Sequence, residues 1–202
     1  MARPVGLREL KKSRTRATVR REAMRLFDEQ GYADTTVEQI ALAAEISTAT
    51  FYRYFCDKED VVIVGHDQGV VEQVIASRPP HEPLAGTMRA VFIRLAEEFE
   101  KNRDVEIVRM RLVNSESELQ GRRWCNRQAT ADLLARLLAP RAGGQPDDHD
   151  LRLAITIALA AESETVSYWA RIGGAEPLAG LLDQAMTAIE PAFRALPGGQ
   201  GP

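Results

Sequence analysis

Small polar side chains are concentrated where a short predicted helix begins. Ser47, Thr48 and Thr50 carry hydroxyls there, and Arg53 follows one turn later. Hydroxyl and guanidinium groups exchange hydrogen bonds with base edges and phosphate oxygens. The major groove of DNA is about 12 Å wide, so only a helix with a slim leading end brings such groups to the bases. The pattern fits nucleic-acid contact, and it fits an ordinary helical hairpin in a helical core about equally well.

Two neighbouring helices must position these side chains. The first, from about residue 36, has apolar residues at i, i+3, i+4 and i+7, which is the period of one helix face: Val37, Ile40, Ala41 and Ala44. Thr35 or Thr36 can cap its N-terminus, and Glu or Gln three residues later can complete a capping box. A short turn follows, and Ser47 can cap the second helix, whose inner side carries Phe51, Tyr54 and Phe55. The spacing therefore predicts a helix, a turn and a second helix.

The stretch TTVEQIALAAEISTATFYRYFCDKEDVV resembles the DNA-binding signature of the TetR family of transcriptional regulators. The matching positions are Thr36, Ile40, Ala41, Ala44, Ser47, Thr50, Phe51, Tyr52, Tyr54, Phe55, Lys58 and Glu59. Together with an upstream helix, the resemblance covers about residues 12–72. Two positions depart from the signature. Glu45 stands where Gly is usual, which predicts some strain in the turn, and Cys56 stands where Pro or Gly is common.

The candidate DNA-contacting residues lie in this signature and in the helix before it. They are Arg14, Arg16, Thr36, Ser47, Thr48, Thr50, Tyr52, Arg53 and Lys58. Among them, we expect Tyr52 and Lys58 to contact phosphates, and Thr48, Thr50 and Arg53 to face base edges. The expected partner is double-stranded DNA with a palindromic operator, because a dimer reads two half-sites one helical turn apart.

The charge of the chain is unevenly distributed. Residues 1–25 hold nine Arg or Lys against Glu9 and Glu22, a net charge of +7, which leaves −10 on the rest of a chain whose total is −3. A basic N-terminal arm at residues 1–12, predicted to be disordered, suits contact with DNA phosphates. A solvated tail without a role is the alternative.

Composition excludes several classes of protein. Hydrophobic residues at 45% and charged residues at 27% are ordinary for a globular protein, and no apolar run reaches the roughly 18 residues of a membrane span. Cys56 and Cys125 alone do not form a disulfide framework or a zinc site, so we expect a cytoplasmic protein without metal or cofactor. The three His are widely separated, and no catalytic grouping is present. An all-helical enzyme, the rival from another class, therefore lacks support.

The chain is predicted to be all-α and TetR-like, with about nine helices. The predicted parts are the arm at 1–12, the helix-turn-helix domain at 12–72, a ligand-binding and dimerisation domain at 73–196 and a disordered tail at 197–202. One continuous helix, residues 57–77, is expected to link the two domains, because its middle is apolar on more than one face. The last two helices are also broadly apolar, which favours a four-helix bundle with a second copy over complete burial in the monomer. The TetR resemblance implies the same homodimer.

Isolated polar residues on apolar helix faces indicate a pocket for a small molecule. An unpaired buried polar group costs on the order of 2–7 kcal/mol, so such residues must be paired, exposed or facing a cavity. The tentative ligand-binding set is His66, Gln68, Arg109, Trp124, Glu162 and Trp169. Arg109 is expected to pair with Glu162 or to meet an anionic ligand. Internal salt bridges or surface exposure explain each residue equally well when it is taken singly.

The second half of the chain is similar to the C-terminal domain of TetR-type regulators related to MftR. The similar runs are RPPHEPLAGTMRAVF, VRMRLVNSESELQGR and YWARIGGAEPLAGLLDQAM. This resemblance implies an acyl-CoA-like effector. The sequence thus predicts a dimeric DNA-binding regulator, a repressor released from its operator by an apolar ligand. The alternative is a helical DNA-binding protein without an effector.

Overall fold

The computed structural model describes residues 7–63 and 68–194, and all regular structure in these two ranges is α-helical. The helices are α1 (Leu7–Gln30), α2 (Val37–Ala43), α3 (Thr48–Tyr54), α4 (Lys58–Val62), α5 (Gln68–Ser77), α6 (Leu84–Lys101), α7 (Arg103–Ser115), α8 (Ser117–Ala142), α9 (His149–Arg171) and α10 (Leu178–Arg194). The predicted all-α fold is confirmed. Ten helices are described rather than about nine.

The chain divides into two compact units, Met1–Val64 and Gly65–Pro202. In the first unit, α1 to α4 enclose a small apolar core: Val19, Ala23, Met24, Phe27, Ile40, Ala41, Phe51, Phe55, Val61 and Val62. Helix α1 begins at Leu7, so residues 7–12 of the predicted arm are helical. Residues 1–6 and the predicted tail at 197–202 lie outside the described residues.

Thr36 and Ser47, both named as candidate caps from the sequence, cap the N-termini of α2 and α3. The Thr36 hydroxyl accepts a hydrogen bond from the Gln39 backbone N–H at 3.3 Å, and the Thr36 N–H donates to Gln39 Oε1 at 2.8 Å, which completes the capping box. The Ser47 hydroxyl accepts from the Thr50 N–H at 3.1 Å. These bonds satisfy backbone donors that a helix start leaves without intrahelical partners.

The turn between α2 and α3 depends on a left-handed residue. Glu45 has φ of 55°, and the Ile46 N–H that follows donates to the Ala41 carbonyl at 2.9 Å. A side chain at positive φ is strained because its Cβ approaches the backbone. The strain predicted at Glu45 is therefore located in the turn that sets the path from α2 to α3.

Glu45→Gly is expected to raise the free energy of unfolding by about 0.5–1 kcal/mol, since Gly removes the strain of the left-handed backbone and loses part of that gain in unfolded-state entropy. Urea unfolding of the full chain measures the difference. Glu45→Ala is the matched control, because Ala keeps the Cβ and loses only the carboxylate. Equal stabilisation by both variants would assign the effect to the side chain and contradict backbone strain.

The helix predicted at residues 57–77 is interrupted, so that prediction is wrong. Helix α4 ends at Val62, Ile63 has an extended backbone with φ −83° and ψ 97°, and α5 begins at Gln68. The run Val61 to Val64 consists of β-branched residues and Gly65 follows. Branched side chains lose rotamer freedom in a helix and Gly loses backbone entropy, so this segment favours helix least. The two units accordingly divide after Val64, eight residues before the predicted boundary.

The second unit is built around α9 and α10. Helix α10 packs against α6 and α9, and α9 also contacts α7 and α8. The largest fully buried side chains of this core are Trp169, Phe92, Met88, Leu138, Ile155, Leu178, Leu182 and Met186. Helix α8 continues through Pro140 to Ala142 and ends at Gly143, whose φ is 68°.

Ser115 and Glu118 have the spacing of a capping box, but Ser115 does not cap α8. The Ser115 hydroxyl donates to the Leu112 carbonyl of α7 at 3.1 Å, and Glu116, the N-cap residue, forms no capping bond with its side chain. Ser115 is the last residue of α7, where a hydroxyl can bond the carbonyl three or four residues earlier.

Both cysteines are exposed free thiols, with Cys56 in the first unit and Cys125 in the second. Within the described ranges, the search for membrane spans finds no helix with the length and apolar character needed to cross a bilayer.

Candidate nucleic-acid and effector sites

Helix α3 has one aromatic inner face and one polar outer face. Phe51 is fully buried, and its ring lies 5.5 Å from that of Phe55 between centroids. Tyr52 contacts Phe51 edge-on at 5.6 Å, yet 55% of Tyr52 is exposed. Since the aromatic cluster fixes the inner face, the hydroxyl-bearing outer face is held in one orientation.

The polar side chains at the start of α3 are exposed and locally ordered. Ser47 and Thr48 are exposed, and the Ser47 and Thr50 hydroxyls lie 2.9 Å apart in a hydrogen bond. Arg53 is exposed and its guanidinium lies 5.1 Å from the centre of the Tyr54 ring. Thr48, Tyr52 and Arg53 therefore stand on the solvent side of α3, where a groove could admit them.

Two predicted contact residues on α1 differ in their surroundings. Arg14 is exposed. Arg16 donates to the Tyr54 carbonyl at 3.2 Å, with its guanidinium 5.7 Å from the Phe55 ring centre. Arg16 thus ties α1 to the C-terminal end of α3. Thr36 is exposed, and both its hydroxyl and its N–H serve the capping box of α2.

Lys58 is directed towards the loop between α1 and α2. Its ammonium donates to the Tyr32 carbonyl at 2.8 Å and to the Thr35 carbonyl at 3.2 Å, and it lies 4.3 Å from the centre of the Tyr32 ring. The adjacent Glu59 is buried and accepts a 2.7 Å hydrogen bond from the Tyr32 hydroxyl. We call Tyr32, Thr35, Lys58 and Glu59 the loop latch. The latch engages two of the three N–H donors of Lys58, a residue predicted to contact phosphate.

Three of the predicted effector residues are not placed in a buried site. His66 lies outside the described residues. Gln68 is exposed and donates to Glu72 at 2.6 Å. Trp124 is 60% exposed on α8.

The other three are buried or half-buried, and Arg109 has a carboxylate partner on its own helix. Arg109 donates to Glu106, one turn earlier on α7, at 2.6 Å and lies 5.5 Å from the Phe99 ring centre. Spacing of i, i+3 on one helix brings two side chains together without tertiary cost, so the local carboxylate is favoured. Trp169 is buried and its indole N–H donates to the Glu176 carbonyl at 3.1 Å. Glu162 is half-buried.

Sequence reasoning missed a pair of arginines on α8 that meet a pair of serines on α9. Arg123 and Arg127 both donate to the buried Ser163 hydroxyl at 2.5 Å, and Arg123 also approaches the Ser167 hydroxyl at 3.5 Å. Arg123 Nη1 donates to the Asn114 side-chain oxygen at 3.2 Å. The available signal was the i, i+4 spacing of both pairs, which puts each pair on one helix face. We call Arg123, Arg127, Ser163 and Ser167 the arginine–serine cluster.

The surroundings of Arg123 disfavour the positive charge of its guanidinium. Desolvation by burial lowers the pKa of Arg123, and the nearby positive charges of Arg127 and Arg109 act in the same direction, while Glu162 opposes them. A pocket of about 430 Å³ adjoins the cluster, lined by Arg111, Asn114, Ser115, Glu164, Ser167, Ala170 and Arg171. Asn114 and Ser167 belong both to this lining and to the hydrogen-bond partners of Arg123, so the guanidinium borders the pocket.

Two family models match separate parts of the chain. The model of bacterial regulatory proteins of the tetR family matches residues 19–63, which include α2, α3 and α4. The model of the MftR C-terminal domain matches residues 82–194, which is more than half of the chain. The two matches fall on either side of the division between the two compact units.

One curated transcriptional regulator and two solved structures are similar to this protein over most of its chain. The HTH-type transcriptional regulator TcmR of Streptomyces glaucescens is 35% identical over 162 residues, covering 76% of this chain and 71% of its own. FadR from Bacillus subtilis, solved in complex with stearoyl-CoA, has a TM-score of 0.63 at 21% identity and covers 86% of this chain and 96% of its own. FadR of Thermus thermophilus, a transcriptional repressor solved with lauroyl-CoA, has a TM-score of 0.56 at 25% identity and covers 86% and 92%.

Proposed function

Because the chain belongs to the TetR family of bacterial regulatory proteins, we propose that it is a dimeric repressor that a long-chain acyl-CoA releases from its operator. Because the family consists of transcriptional regulators, the chain is a transcriptional regulator and not the all-helical enzyme considered as the rival class. The observation that carries the DNA-reading part of the proposal is α3, a short capped helix with an aromatic inner face and an exposed face of hydroxyls.

In this proposal α3 enters the major groove by its N-terminal end. Thr48 and Thr50 approach base edges, while the Tyr52 hydroxyl and the exposed Arg14 approach phosphates. Contacts of the first kind set sequence preference, and contacts of the second kind set orientation and salt dependence. Arg16 acts by holding α1 against the end of α3.

An exposed apolar stripe on α9 supports the dimer. Residues at i, i+4, i+7, i+8 and i+15 lie on one side of the helix and are exposed or half-exposed: Leu153, Ile157, Ala160, Ala161 and Tyr168. An apolar stripe that the monomer leaves open can be buried against the same stripe of a second copy across a two-fold axis. Such a dimer presents two α3 helices to two half-sites of a palindromic operator.

The effector class is supported by two observations. The C-terminal unit matches the MftR C-terminal domain, and the two FadR structures of similar fold hold acyl-CoA molecules. The rival, a DNA-binding protein without an effector, predicts that no acyl-CoA binds.

Salt titration of DNA binding separates the proposed phosphate contacts from other basic residues. Arg14→Gln is expected to weaken binding to all sequences alike and to lower the slope of log K against log salt by about one unit. Arg25→Gln is the matched control on α1, because its guanidinium is already paired with Glu22 and Glu29. An unchanged slope in Arg14→Gln would remove Arg14 from the interface.

Thr48→Ala tests base reading in the same assay. Loss of one neutral hydrogen bond, about 0.5–1.5 kcal/mol, should reduce the preference for the operator over a single-base variant roughly 2–10-fold while the salt slope stays constant. Gel-shift with the operator and its single-base variants measures that preference. A uniform loss across all sequences would instead place Thr48 on the phosphate backbone.

A further inference from the structure

The geometry points to a diphosphate-binding site at the arginine–serine cluster, where Arg123 and Arg127 hold the phosphate end of a coenzyme A thioester. This inference rests on the proposed function for the source of the diphosphate. The evidence for the site itself is the set of hydrogen bonds made by Arg123 and Arg127 and the positive charge around the adjoining pocket.

The two arginines share an acceptor that cannot balance their charge. Both guanidinium groups donate to the Ser163 hydroxyl at 2.5 Å, and no carboxylate forms an ion pair with either arginine among the described residues. The other acceptors of Arg123 are also neutral: the Asn114 amide oxygen, the Ser163 carbonyl and the Ser167 hydroxyl. A phosphate accepts two parallel N–H bonds from one guanidinium and neutralises its charge, which a neutral hydroxyl or amide oxygen does not. An anion with several oxygens would therefore bind where neutral oxygens now stand.

The pocket beside the cluster is basic. Arg111 and Arg171 line it together with Glu164. Arg123 borders it through its bonds to the lining residues Asn114 and Ser167. Glu164 is paired with Arg171 at 2.9 Å, which offsets its charge. Apart from the neutral pair of Arg109 and Glu106, the cluster and the pocket together hold four guanidinium groups, on Arg111, Arg123, Arg127 and Arg171, and the two carboxylates of Glu162 and Glu164. This is a local excess of +2 on a chain with a net charge of −3. An anionic ligand is attracted to this pocket although the whole protein repels it.

The size and number of donors favour a diphosphate over a single carboxylate. A pocket of about 430 Å³ lies within the range of ligand sites, about 300–1,000 Å³, and exceeds what one carboxylate fills. Arginine binds phosphate oxygens through its planar fork of N–H groups. Arg123 and Arg127 lie one turn apart on α8, so each could bind one phosphate of a linked pair.

Calorimetric titration of the full-length protein tests the site with four probes: palmitoyl-CoA, ADP, inorganic pyrophosphate and palmitate. Arg123→Gln and Arg127→Gln should each weaken palmitoyl-CoA and ADP binding about 10–100-fold, the loss of a hydrogen-bonded charge, and leave palmitate binding unchanged. Arg152→Gln is the matched control, because Arg152 is paired with Asp132 on the surface. Arg123→Lys should recover part of the loss, since it keeps the charge without the fork.

The outcomes separate the site from the proposed function. Unchanged palmitoyl-CoA affinity in both Gln variants overturns the site, even if palmitoyl-CoA releases DNA. Binding of ADP or pyrophosphate that the Gln variants lose supports the site, even if palmitoyl-CoA fails to release DNA and the proposed effector falls. No binding of any diphosphate probe to the wild type overturns the site. If a Gln variant does not fold, Arg123→Lys and the stabilisation of the wild type by pyrophosphate against sulfate at equal ionic strength decide.

Discussion

Lys58→Met is expected to lower the free energy of unfolding of the first unit by roughly 2–4 kcal/mol, because two charge-assisted hydrogen bonds and a cation–π contact are lost together. Met keeps the apolar stem and removes the ammonium. The Tyr32 and Thr35 carbonyls then lose their donor in a half-buried place. Against a total stability of about 5–15 kcal/mol for a typical domain, this is a large fraction. Urea unfolding followed by circular dichroism measures it.

DNA affinity is expected to fall with stability in this variant, because the latch fixes the loop that leads into α2. Lys101→Met is the matched control, since Lys101 is exposed and pairs only with Glu98 on its own helix. A variant of normal stability whose salt slope falls by about one unit would show instead that Lys58 contacts a phosphate, as its place in the sequence first suggested. The two readings of Lys58 thus give opposite results in two independent measurements.

Palmitoyl-CoA is expected to weaken operator binding about 5–150-fold, which corresponds to a coupling free energy of roughly 1–3 kcal/mol between the two sites. Fluorescence anisotropy of labelled operator, titrated with the protein at fixed ligand concentration, measures the factor. Free coenzyme A and palmitate are the control ligands, since each carries only one part of the thioester. Tight palmitoyl-CoA binding without any change in operator affinity would contradict the coupling.

Reciprocity makes this second test stricter. If palmitoyl-CoA weakens operator binding by some factor, the operator must weaken palmitoyl-CoA binding by the same factor, whatever the structural route. Calorimetry with and without operator gives the second number. Unequal factors would show that the ligand acts outside the equilibrium, for example by promoting aggregation.

Local signals in the sequence correctly predicted the caps of α2 and α3 and the strain in the turn between them. The capping box at Thr36, the cap at Ser47 and the positive φ of Glu45 each depend on residues within three or four positions. Interactions of this range are encoded by spacing alone. The same logic failed at Ser115, where two helices compete for one hydroxyl and the preceding helix obtains it.

Partners distant in sequence were not predictable in the same way. The Lys58 ammonium donates to the carbonyls of Tyr32 and Thr35, 26 and 23 residues earlier in the chain. Every residue has a main-chain carbonyl, so the pattern of side chains does not show which carbonyl will accept. Arg123 finds Ser163 only because α8 and α9 pack with their i, i+4 pairs facing each other. For Arg109, the carboxylate of Glu106 one turn earlier on the same helix was not considered as a partner. Hydrogen-bond donors and acceptors on different helices can be paired only when it is known which helix faces pack against each other.

The two exposed thiols allow the distance between the two units to be measured by spin labelling of the native chain. Cys56 lies just after α3 in the first unit and Cys125 lies on α8 in the second, and the chain holds no other cysteine. A spin label attached to each reports one distance within the chain, without any cysteine having to be introduced or removed. In the proposed dimer, the same labels would add distances between the two copies. The same labelled sample, with operator or with acyl-CoA, would show how the distribution of distances responds to each ligand.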